Sequence, residues 1–104
     1  MPKGRSKLTR SSGNVFRDLG FSRSEAEHLR VRADLMLEIE KVLKARKLKQ
    51  AEAAKIMGVS QPRVSDLLRG KIDLFSSDAL IDMLACLGRR VRLVTSSSGS
   101  REVA

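Results

Sequence analysis

The chain has no tryptophan and no tyrosine, and only three phenylalanines in 104 residues. Proteins that hold single-stranded nucleic acid stack the bases on exposed aromatic rings. No such platform exists here, and Phe16, Phe21 and Phe75 are expected in a core instead. A single cysteine, Cys86, excludes an intrachain disulfide and suits a reducing, cytoplasmic setting. It stands beside Leu84 and Leu87 in a helical pattern, so a buried thiol is expected. The only histidine, His28, lies on a charged helical face and reads as a solvated side chain. With one of each there is no Cys/His cluster for zinc and no poised nucleophile–base pair. Neither metal, cofactor nor enzymatic chemistry is expected. Long apolar runs are missing too. Met1-Pro2-Lys3 leads into a basic polar segment, which reads as neither a signal peptide nor a membrane span.

Positive charge is what the chain has in excess. Lysine and arginine number 21 against 12 acidic residues, a net charge of +9. In a small protein that balance favours an acidic polymer as partner, although it also serves solubility. Charged residues make up 32% and hydrophobic ones 41%, which fits one folded domain with a modest core. Charge alone does not identify the partner. The arrangement of residues in the middle of the chain does more.

The stretch QAEAAKIMGVSQPRVSDLLR, from Gln50 to Arg69, reads as two short helices joined at Gly58-Val59. Gly58 can take the left-handed conformation that ends a helix without a Cβ clash. Val59 supplies an apolar plug for the turn, and Ser60 is a good N-cap for the second helix. Pro62 is tolerated in a first turn, where its missing N–H has no helical partner. Ala54, Val59, Val64 and Leu67 fit the inner faces of two steeply crossing helices, with Ala53 and Ala54 small at their closest approach. Gln61, Arg63, Ser65, Asp66 and Arg69 are left pointing outward, as a helix that reads base edges requires.

These residues resemble the xenobiotic-response-element (Cro/C1-like, lambda-repressor-like) family of helix-turn-helix regulators. The likeness rests on Gln50 to Ala54, Gly58 to Ser65, and Leu68-Arg69-Gly70-Lys71. It implies a sequence-specific, double-stranded DNA-binding transcriptional regulator that acts as a homodimer on a palindromic operator. On that reading Ser60, Gln61, Pro62, Arg63, Ser65 and Asp66 meet base edges. Gln61 pairing with adenine and Arg63 with guanine lead the set. Lys49, Gln50, Arg69 and Lys71 hold phosphates. One departure stands out: Lys49 occupies the place where the family usually has Thr or Ser as N-cap, so that helix end is less well satisfied.

Around the motif, residues 1–13 carry Lys3, Arg5, Lys7 and Arg10 among small polar residues and read as a disordered basic arm. Asn14 to Phe21 is an apolar strap expected to pack on the domain. Ser22 or Ser24 caps a long helix running to about Arg46. Leu29, Ala33, Met36 and Leu43 form one stripe on it, and Leu35, Ile39 and Val42 widen the stripe. Lys44, Arg46, Lys47 and Lys49 gather at its end. Gly70 stops the second motif helix, and Lys71 opens a loop through Phe75. Ser76 or Ser77 then starts a further helix with Leu80, Met83, Leu84 and Leu87 at helical spacing. Gly88 closes it. Arg90 to Thr95 alternates basic and apolar residues and predicts a strand, with residues 96–104 a Ser-rich disordered tail. The fold class is thus mainly α: a four- to five-helix lambda-repressor-like domain over residues 14–95 with a short C-terminal β-strand.

A lone strand cannot satisfy its own ladder. It must pair either with part of Asn14 to Phe16 or with the same strand of a second subunit. The second solution is preferred, with Val91 and Leu93 at the interface. The flanks Gly13 to Phe16, Asp18-Leu19-Gly20 and Leu87-Gly88-Arg89 resemble the small antitoxin-type regulators of this family. That resemblance implies a ribonuclease-type toxin as partner and autorepression of a toxin–antitoxin operon. A phage-type or metabolic repressor without a toxin, and a protein-sequestering module that does not depend on DNA, remain alternatives at this point.

Overall fold

Helix ends, more than helix interiors, set the plan of this chain. The structure is a computed structural model and describes residues 15–97. It contains α1 (Val15–Asp18), α2 (Arg23–Ala45), α3 (Gln50–Met57), α4 (Gln61–Leu68), a 3-10 turn (Ile72–Leu74) and α5 (Ser77–Cys86). Serine opens three of these helices. The Ser22 hydroxyl accepts from the Glu25 N–H at 3.2 Å while the Glu25 carboxylate accepts from the Ser22 N–H, a complete capping box. The Ser22 hydrogen bonds hold the Glu25 carboxyl below its ordinary range. Ser60 and Ser76 cap α4 and α5 by accepting from Arg63 and Ala79 at 3.3 and 3.1 Å. At α3 the expected weakness is present. The Lys49 ammonium has no lone pair to offer, and only the reciprocal half of a box forms, Lys49 N–H to Glu52 Oε1 at 2.8 Å.

The C-terminal ends of α2 to α5 share one closure. A left-handed residue follows the helix, and the next N–H reaches back five residues: Leu48 to Leu43, Val59 to Ala54, Lys71 to Asp66, Arg89 to Leu84, at 2.9–3.1 Å. The left-handed residue is Gly58, Gly70 or Gly88 in three cases. In the fourth it is Lys47, at φ 55°. Each closure turns the chain sharply, so that four helices with short connections wrap one core.

That core is formed by Leu35, Met36, Ile39 and Leu43 of α2, Ala53, Ala54 and Met57 of α3, Val64 and Leu67 of α4, Phe75, and Leu80, Met83, Leu84 and Leu87 from α5 and its cap. Among the described residues no polar or charged side chain is buried with them. Ala26 and Leu29 are buried apart from this cluster, on the N-terminal half of α2, and α1 packs against α2. The predicted helices, their serine caps and the α2 stripe are present, with Ala33 and Val42 half-buried at its margin.

Three expectations are corrected. In the single chain the segment Arg90 to Thr95 is not a strand; residues 89–97 have no regular structure. The intrachain partner for it is already spent, since Val15–Asp18 is helical, and a single segment has no ladder to join. Phe16 and Phe21 do not enter the core. They meet each other edge to face at 6.3 Å, with Phe16 half-buried and Phe21 exposed, and only Phe75 is buried. Cys86 is exposed rather than buried. At about 100° per residue it falls on the flank of the Leu80–Met83–Leu84–Leu87 stripe rather than within it. The arm over residues 1–13 and the tail beyond residue 97 lie outside the described residues.

Lys47 is the place where this plan can be tested. A Cβ in the left-handed region costs about 1–2 kcal/mol relative to glycine. Lys47→Gly is therefore expected to raise unfolding free energy by about 1 kcal/mol, whereas Gly58→Ala lowers it by a similar amount. No atom lies within 4 Å of a Cβ built at Gly58, so its loss reports conformation alone. Urea denaturation of both variants reads the two signs directly.

Candidate nucleic-acid interface

α3 and α4 approach closely because Ala53 and Ala54 present no bulk, 0% and 7% exposed. Gly58 turns the chain between them, and Val59 packs half-buried against the core behind the turn. α4 then buries Val64 and Leu67, at 1% and 3% exposure. Its step of about 100° per residue puts Pro62, Ser65, Asp66 and Arg69 on the opposite side, with Gln61 at the exposed leading end. Gln61, Pro62 and Arg69 are exposed; Ser65 and Asp66 are half-buried. Ser60 accepts the Arg63 N–H, and Pro62 has no N–H to satisfy, so the first turn of α4 leaves few donors without a partner.

Cations are concentrated in the stretch of chain that contains this helix. From Arg46 to Lys71 the chain carries Arg46, Lys47, Lys49, Lys55, Arg63, Arg69 and Lys71 against two acids, Glu52 and Asp66. Both acids are engaged locally. Glu52 closes the N-terminus of α3, and Asp66 lies 3.5 Å from the Lys71 Nζ. From residue 72 to residue 88 the balance reverses, with Asp73, Asp78 and Asp82 and no cation. Charge is thus segregated along the chain, positive on the motif and negative on the segment that follows it. Lys49 and Gln50 are exposed at the start of α3, and Lys71 is exposed just past α4. The expected phosphate-facing residues therefore flank α4 on both sides of the motif.

Arg63 departs from the arrangement the sequence suggests. It is half-buried and turned back toward the domain. Its Nη1 donates to the Leu74 carbonyl at 2.7 Å, and its guanidinium carbon lies 4.1 Å from the centre of the Phe75 ring. A second arginine does similar work at the other end of α5, where Arg46 donates to the Leu87 carbonyl at 2.5 Å. Neither bond follows from local sequence rules, because the partners are 11 and 41 residues apart. The available signal for Arg63 was its place on α4, on the flank of the apolar stripe rather than opposite it.

Among the described residues no group of three or more His, Cys, Asp or Glu could hold a metal ion. No helix among them is long and apolar enough to cross a membrane.

Residues 15–96 match the family model of a helix-turn-helix domain. A solved structure of a protein assigned to the XRE family of transcriptional regulators superposes with a TM-score of 0.68 at 30% identity, covering 77% of this chain and 90% of that one. No curated protein matches the chain. The capped α3–α4 pair, the shared fold and the extent of both matches lead to one assignment: this chain belongs to the XRE-type helix-turn-helix family, a non-enzymatic class of DNA-binding transcriptional regulators.

Proposed function

We propose that the protein is a sequence-specific repressor that binds a palindromic operator as a homodimer, with α4 as the recognition helix. The observation that carries this reading is the outward face of α4, which is polar, with Lys49, Arg69 and Lys71 exposed at the ends of the α3–α4 motif. Gln61 and Ser65, with Ser60, Pro62 and Asp66 beside them, are assigned to base edges. Lys49, Gln50, Arg69 and Lys71 are assigned to phosphates. Asp66 can tolerate a nearby phosphate backbone because Lys71 offsets its charge, or it can accept from a cytosine amino group. Affinity for duplex DNA is expected to fall with salt at a slope of about −0.9 in log–log form for each phosphate neutralised. Anisotropy across a salt series, on the protein's own promoter and on random duplex, measures it. In a single-base operator library, Gln61→Ala relaxes preference at one position, whereas Lys71→Ala weakens all sites alike. Equal affinity for promoter and random duplex at physiological salt rules out the repressor.

Support for the dimer comes from the segment after α5. Leu93 and Val94 are 91% and 85% exposed and Val91 is 42% exposed. The alternation of Arg90, Val91, Arg92 and Leu93 suits a strand that acquires its ladder from a second copy. A chain ending at Arg89 keeps the Arg89 N–H bond that closes α5. It is expected to sediment as a monomer and to lose tight binding to a palindrome. A truncated chain that stays dimeric refutes Val91 and Leu93 as the interface.

A narrower reading, an autorepressing antitoxin with a ribonuclease-type toxin, is favoured by the surface of the N-terminal strap, which packs on α2. Val15, Leu19 and Phe21 are 58%, 69% and 40% exposed on the strap, an apolar cluster on α1 and the turn that follows it. A partner held there leaves α4 free to bind DNA. Co-expression with the neighbouring gene product tests it, with Leu19→Asp expected to abolish co-purification while DNA binding persists. Neutralisation of the toxin by a chain that starts at Ser22 removes the strap from the mechanism.

A further inference from the structure

Arg63 has both of its interactions inside the protein, and together they join the start of the recognition helix to the start of α5. Its backbone N–H is held by the Ser60 cap at 3.3 Å, so the residue is fixed at the N-terminus of α4. Its side chain reaches the Leu74 carbonyl, two residues before the Ser76 cap of α5. The guanidinium plane covers a face of Phe75, a ring 1% exposed to solvent. An arginine that left to read a guanine would forfeit a charge-assisted hydrogen bond and a cation–π contact. It would also uncover an apolar ring. The span that Arg63 closes contains Lys71, whose Nζ is 3.5 Å from Asp66 on α4.

We infer that Arg63 is a positioning residue: it clamps the α4–α5 connection so that Lys71 is held beside the recognition helix, and base reading is left to Gln61 and Ser65. This rests on the DNA-binding reading for its consequence but not for the clamp itself, which exists in the free chain. It also explains the residue type. Lysine has one compact charge and no planar face, so it cannot donate to Leu74 while stacking on Phe75.

The test uses the full-length chain, Arg63→Lys and Arg63→Gln, with a duplex site selected by the wild type from a random pool and all single-base variants of that site. Circular dichroism first establishes that the variants are folded. Both are expected to bind the site and its single-base variants more weakly by one common factor, about tenfold where the clamped arrangement falls to about a tenth of the population. Base preferences stay unchanged. The combination of Arg63→Lys with Lys71→Ala is expected to weaken binding by less than the product of the two single losses, because Arg63 acts through Lys71. Amide exchange at Leu74 and Phe75 in the DNA-free chain is expected to quicken in Arg63→Gln. Loss of preference at a single base pair, with exchange unchanged, makes Arg63 a base reader and overturns the inference. Strict multiplication of the two losses overturns its route through Lys71. If the wild type selects no site, the repressor reading fails, and the exchange measurement still decides the clamp.

Discussion

The outward face of α4 has meaning only because its inward face is fixed. Val64 and Leu67 are its only fully buried side chains, and they place a helix of eight residues against α2 and α3. A helix this short has little stability of its own in water, so its orientation comes from burial and from its two ends. Ser60 holds one end and the Gly70 closure the other. Ala53 and Ala54 admit α3 to close range, and Phe75 occupies the core just beyond the motif. Enlarging either alanine would push α3 away from α4 and re-aim every polar residue on the far side without touching one of them.

Most of this plan was legible because the decisive signals are local. Caps, terminating glycines and the 3.6-residue stripe depend on neighbours within about five positions, and the serines at 22, 60 and 76 behave as capping chemistry requires. The failures share the opposite property. Whether Arg90 to Thr95 becomes a strand depends on a partner segment, and among the described residues none pairs with it. Phe16 and Phe21 are large and apolar, yet they lie on the strap beside the N-terminal half of α2, apart from the core cluster, and pair with each other there. For Arg63 the motif shows only a place on α4; the partners it has in the free chain lie beyond the motif, at Leu74 and Phe75.

Two arginines bracket α5 in a way that links stability to presentation. Arg63 binds the carbonyl of Leu74 ahead of the helix, and Arg46 binds the carbonyl of Leu87 at its C-cap. The second contact also suits the negative pole of the helix dipole. Both arginines belong to the cationic stretch from residue 46 to 71, so part of that positive charge is engaged in holding the fold. The cations left to face a phosphate backbone are therefore fewer than the net charge of +9 suggests. A salt dependence shallower than that net charge is what this division of labour entails.

Lys47 shows where folding and charge compete. Three of the four shared helix closures use glycine, and the fourth places lysine in the left-handed region. The strain of about 1–2 kcal/mol is a sizeable fraction of what a small domain has to spare. The position is exposed and lies between Arg46 and Lys49, within the cationic run that leads into α3. Glycine there would relax the turn and remove one cation from the approach to the motif. The other three closures carry no such conflict, since Gly58, Gly70 and Gly88 follow α3, α4 and α5, where the neighbouring side chains already supply the polar face or the core. A lysine held in a glycine's conformation is thus best understood through the charge it presents, because the backbone gains nothing from it.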